Sequence, residues 1–101
     1  MSSNGNVIYE VRHLPIVGQQ IKDLAEKAAD RRTEFLSAMK VVLAKLRTEP
    51  TAWGDPEYNL QKPGGCVYHG IVRPVVAKFA VFEREKIVLL MSVALMAAFG
   101  T

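Results

Sequence analysis

Three residues in the C-terminal half are of the types that phosphate chemistry uses: His69, Arg73 and Lys78. A histidine can give and take a proton near neutral pH, which suits a general acid or base. An arginine can hold a phosphate through two parallel hydrogen bonds, and a lysine through a point charge. Together they form a thin set for cleaving a phosphodiester, which needs a base, an acid and cations that stabilise the pentacoordinate charge. Each has a plainer reading beside the chemical one. His69 lies in an alternating run, on the side of Val67 and Ile71 and opposite Tyr68, where a partly exposed sheet histidine is ordinary. Arg73 and Lys78 can simply keep a sheet face wet. Arg12 and His13 close the first apolar run and read as surface residues.

Other single residues carry less. Trp53 stands beside Gly54-Asp55-Pro56. It could stack on a nucleic-acid base, or fold back beside Pro50 and cap the core. Cys66 is the only cysteine, so an intrachain disulfide is impossible and a secreted disulfide scaffold is excluded. Cys66, His13 and His69 lack metal-ligand spacing, so no metal site and no cofactor are expected.

The elements that must position these residues follow from spacing. The 101 residues suffice for one domain, 1–101, with a loose polar leader at 1–6. Half of them are apolar and 23% are charged, the balance of a globular chain. The net charge of +3 permits an anionic partner without pointing to one. The start, MSSNGN, lacks the basic and apolar stretches of a signal peptide. Residues 87–99 are apolar but shorter than the roughly 20 that a membrane helix needs. Cytoplasm is the expected location, with no membrane partner.

Alternation predicts a strand over 7–14. Pro15 can open a helix, and a stripe of Val17, Ile21, Leu24 and Ala28 predicts one over 16–29. Phe35, Met39, Val42 and Leu46 predict a second over 32–48, stopped by Pro50. Prolines and glycines predict a loop over 51–65. Three antiparallel strands should follow over 66–72, 75–82 and 86–95 as a meander. The class is α+β, with both helices on one face of the sheet. Val75, Ala77, Phe79 and Val81 should face the helices, and so should Ile87, Leu89, Met91 and Val93. The other face should then carry Val76, Ala80, Phe82, Val88, Leu90 and Met96, with Lys78 and Ser92 among them. A sheet face that apolar reads as a protein-binding surface, open to a partner, to a second copy in a homodimer, or to a cover formed by 97–101.

The order of elements resembles the RelE/ParE toxin superfamily over nearly the whole chain. The likeness is carried by Leu46-Arg47-Thr48-Glu49-Pro50, then Trp53-Gly54-Asp55-Pro56, Leu60 and a Gly-rich turn. It continues through Pro74-Val75-Val76-Ala77-Lys78-Phe79-Ala80-Val81 and Ile87-Val88-Leu89-Leu90-Met91-Ser92-Val93. The resemblance implies a toxin of a bacterial toxin–antitoxin pair, silenced by an antitoxin that wraps around it. RelE-like members cut messenger RNA on the ribosome, and ParE-like members poison DNA gyrase. The RelE set of basic residues transfers poorly. Its first sheet-facing pair falls on Val67 and His69, and its arginines fall near Val76 and Met96. Its C-terminal tyrosine has no counterpart in 96–101. Only His69 matches by position, with Arg73 and Lys78 nearby. The expectation is therefore a toxin-fold protein that acts mainly by binding protein. A ribosome-dependent endoribonuclease and an inactive relic of the fold are the alternatives.

Overall fold

The computed structural model describes residues 8–60 and 64–96. The expected leader, the start of the first predicted strand and the tail at 97–101 lie outside them. The chain runs β1 (Glu10–His13), α1 (Pro15–Ala28), a short 3-10 turn, α2 (Arg32–Thr48), a single-turn α3 (Pro50–Trp53), β2 (Asp55–Asn59), β3 (Cys66–Val72), β4 (Val75–Phe82) and β5 (Ile87–Leu95).

Pro15 occupies the first turn of α1, where its missing N–H costs nothing. The helix ends where Ala29 turns to a φ of 54°. The basic residues Lys45 and Arg47 sit in the last turn of α2, at the negative end of its dipole. Val17, Ala25 and Ala28 of α1 and Phe35, Ala38, Met39, Val42 and Leu46 of α2 are buried. They pack on the sheet residues Val75, Ala77, Phe79, Val81, Val88, Leu90 and Val93.

The five strands lie in the order β1-β5-β4-β3-β2. β3, β4 and β5 form the expected antiparallel run. β1 adds to β5 in parallel, so the sheet is mixed and not a pure meander. β1 is also shorter than the predicted strand. Tyr9 stands outside it, giving its N–H to Arg47 O at the end of α2, at 2.8 Å.

Two departures matter for the site. First, the segment read as a loop contains α3 and β2, and β2 pairs antiparallel with β3. Second, β5 is bulged. Lys78 pairs with Ser92 but Phe79 pairs with Leu90, which leaves Met91 as the extra residue and reverses the alternation there. Val93 N–H, beyond the bulge, is bonded by Gln20 Oε1 of α1 at 3.0 Å. Before the bulge, then, Val88 and Leu90 face the helices and are buried in the core, while Ile87 and Leu89 are only partly buried. The expectation that Ile87, Leu89 and Met91 face the helices is corrected, and so is the placing of Val88 and Leu90 on the opposite face.

Aromatic rings close the end of the core under β3. Phe79 lies stacked between Trp53 and Tyr68, with ring centroids 5.6 and 5.8 Å away. Trp53 caps the core, the plainer of its two readings. It lies so close to Gly70 that a Cβ there would fall 2.5 Å from the ring, so only glycine fits at that position.

Candidate functional site

The sheet face turned away from the helices is built from alternate residues of all five strands. Pairing places Glu10 and Arg12 of β1 beside Ile87 and Leu89. Leu89 and Ser92 lie beside Ala80 and Lys78. Ala80, Lys78 and Val76 lie beside Val67, His69 and Ile71, and Asp55 and Tyr58 of β2 pair with His69 and Val67. This face divides into two unlike halves.

The half near β2 is charged. His69 and Lys78 are direct cross-strand partners, so the fold joins two of the three expected catalytic residues. A third group reaches both of them: Glu57, at the bulge of β2 between Pro56 and Tyr58. Its carboxylate lies 2.9 Å from His69 Nδ1 and 3.8 Å from Lys78 Nζ. Buried Nδ1 makes no hydrogen bond, and the contact is an ion pair only when the histidine is protonated. Asp55 stands 3.9 Å from His69 Nε2, and Lys78 also lies over the ring of Tyr58 at 5.6 Å. Arg73 is left out. It sits exposed in the β3–β4 turn, before the cis bond to Pro74, and four residues of strand put it roughly 13 Å from His69.

Sequence reasoning missed Glu57, because the prolines and glycines around it read as loop. The faint signal was the pair Glu57-Tyr58, polar and then aromatic, after Pro56. Its presence changes the chemistry. Two carboxylates face one lysine and one histidine, so the cluster offers a phosphate no net positive field. A histidine beside a carboxylate remains a conceivable proton-transfer pair, but Lys78, the cation beside it, is already paired with Glu57, and Arg73 stands apart.

The half near β1 is apolar. Phe82, Ile87 and Leu89 floor a cavity of about 310 Å³ that Arg12 and Glu85 border. Ala80 is buried beside it and Phe82 is half-buried, whereas Val76, also half-buried, lies on the same face at the other end of β4, beyond Lys78. Met96, after β5, donates its N–H to Pro74 O at 2.8 Å and is also half-buried. Of the expected interface residues, Val76, Ala80 and Phe82 lie on this face, whereas Val88 and Leu90 do not.

Away from this face, Tyr9 OH donates to Glu83 Oε1 at 2.6 Å. Burial, chiefly, and the Glu83 carboxylate push the Tyr9 hydroxyl up to about 12. Burial likewise raises Tyr68. Among the described residues, no group of His, Cys, Asp and Glu could hold a metal ion, and no helix is long and apolar enough to cross a membrane.

A chain in the solved structure of the toxin–antitoxin complex RelBE2 from Mycobacterium tuberculosis is similar to this one with a TM-score of 0.68. The match covers 94% of this chain and 99% of that one, at 16% sequence identity. The two chains share a fold over nearly their whole lengths. No family model matches the sequence, and no curated protein matches it either. At that identity the likeness speaks for the fold alone and leaves the chemistry to the residues just described.

Proposed function

We propose that this protein is the toxin-fold member of a bacterial toxin–antitoxin pair and acts mainly by binding protein. Its antitoxin would lie on the open sheet face, with apolar side chains in the cavity over Phe82, Ile87 and Leu89. The observation that carries this reading is the contrast across that face. Lys78 is matched by Glu57, and His69 stands between the Glu57 and Asp55 carboxylates, while the apolar floor is open. An anionic RNA backbone gains little from the first, whereas a protein segment gains from burying the second. Cytoplasmic location accords with such a role. A second copy of the chain is the competing occupant, and DNA gyrase is a competing cellular target.

One observation favours a second reading, a ribosome-dependent messenger-RNA endoribonuclease. His69 and Lys78 are register partners, with a carboxylate at the histidine. In that reading Arg73 would act only if RNA brought the turn and the strand together.

Inducible expression in a bacterium, with methionine and thymidine incorporation followed, tests these readings. Growth arrest relieved by co-expressing the product of the adjacent gene is the expected result. Loss of methionine incorporation alone, abolished by His69→Ala, would establish the nuclease reading instead. Unimpaired growth with the protein accumulating in soluble form would overturn the toxin reading.

A further inference from the structure

α2 presents a second surface, on its flank and on the helix side of the sheet, away from the open sheet face. At 100° per residue, Arg32, Leu36, Lys40, Leu43 and Arg47 fall within one stripe about 80° wide and roughly 22 Å long. It lies beside the buried face formed by Phe35, Met39, Val42 and Leu46. Leu36 and Leu43 are 39% and 40% exposed, and the three cations are exposed. The acids in and just after the helix are engaged elsewhere: Glu34 with Arg31 at 3.3 Å and Glu49 with Lys45 at 3.6 Å. Arg32, Lys40 and Arg47 have no ion-pair partner among the described residues, and no acid falls within their stripe.

Cations alternating with leucines seven residues apart are what one helix offers another. The leucines supply knobs at heptad spacing, and the flanking charges select the partner's sign. We propose that this stripe of α2 docks an acidic amphipathic helix of a partner protein, one with leucines at heptad spacing flanked by glutamate or aspartate. Other anionic surfaces fit less well. Nucleic-acid phosphates would use the three cations but leave Leu36 and Leu43 unburied. A membrane surface takes a helix whose apolar residues form a separate face, and the apolar face of α2 is already spent on the core. The proposal is independent of the reading of the open sheet face, since it uses no residue of that face.

The probe is a synthetic three-heptad peptide with one leucine per heptad, glutamates on either side of it, and alanine and glutamine elsewhere. Its binding to the full chain is followed by fluorescence anisotropy, and its footprint by amide chemical shifts. Saturable binding is expected, with shifts centred on residues 32–47 and none from a peptide with lysine in place of glutamate. Charge reversal by R32E, K40E and R47E together should weaken it at least about tenfold. Leu36→Ser with Leu43→Ser should weaken it about fivefold or more. These side chains are exposed, and circular dichroism checks that both variants stay folded. Absence of saturable binding, or equal binding of the lysine peptide, would overturn the proposal. So would a loss on charge reversal with none on leucine substitution, which would assign the stripe to an anionic polymer such as duplex RNA.

Discussion

The two faces of the sheet are made by alternate residues of the same strands, yet they have opposite characters. Toward the helices, Val75, Ala77, Phe79, Val81, Val88, Leu90 and Val93 are all buried and apolar. On the other side, residues from those strands form an apolar floor at one end and a neutralised charge cluster at the other. The closed face holds the fold. The open face is apolar over Phe82, Ile87 and Leu89, and elsewhere its charges stand beside one another, with Lys78 paired to Glu57. That difference is the ground for proposing a partner on the open face, and it can be attacked from both sides.

The largest expected effect is on the closed face. Phe79→Ala removes the ring between Trp53 and Tyr68 and should cost about 3–5 kcal/mol in urea unfolding. Phe82→Ala, half-buried on the open face, should cost about 1 kcal/mol. Equal losses would erase the distinction between the faces.

A second effect appears in alkali. The Tyr9 hydroxyl is raised to about 12 in the folded protein from an ordinary 10.0, so between those values the folded state holds a proton that the unfolded state has released. The stability from this group is complete below pH 10 and is lost as pH rises through 12, on the order of 2 kcal/mol. Tyr68 shifts in the same direction. The part due to Tyr9 is therefore the difference between wild type and Tyr9→Phe, measured by denaturation from pH 9 to 12. Parallel curves for the two would show that Tyr9 carries none of it.

Smaller still is the effect of Gln20→Ala, which leaves Val93 N–H at the β5 bulge without its partner. A loss of about 1 kcal/mol is expected in thermal melts. Stability unchanged by the substitution would mean that the bulge holds itself. At the low end, Glu57→Gln should change stability by less than about 0.5 kcal/mol, because the ion pairs it breaks are partly exposed. A larger loss would make the charge cluster part of the scaffold instead of the surface.

Much of the fold was legible because its signals are local. α2, β3 and β4 have the bounds that periodicity and proline punctuation predict. The parallel docking of β1 on β5 was not legible, since it joins chain ends and leaves no local signature. β2 hid among Pro56, Pro63, Gly64 and Gly65, and its five residues are all exposed, so no apolar alternation marks it. That concealed Glu57, the residue whose carboxylate reaches both His69 and Lys78. The bulge in β5 hid for the opposite reason. From Ile87 to Leu95 nearly every residue is apolar, so a slip of one position changes the face without changing the pattern. Val88 and Leu90 were misplaced for that reason, while Val76, Ala80 and Phe82, on the regular strand β4, were placed on the face they occupy.

The two halves of the open face differ most in which of them would hold a partner. Titration calorimetry of the chain with the product of the adjacent gene tests it most directly, comparing wild type with Phe82→Asp/Leu89→Asp and with His69→Ala/Lys78→Ala. The first pair of substitutions should weaken binding by about 30-fold or more, and the second should change it less than about threefold. No binding by the wild type, or a loss confined to the His69 and Lys78 variant, would contradict it.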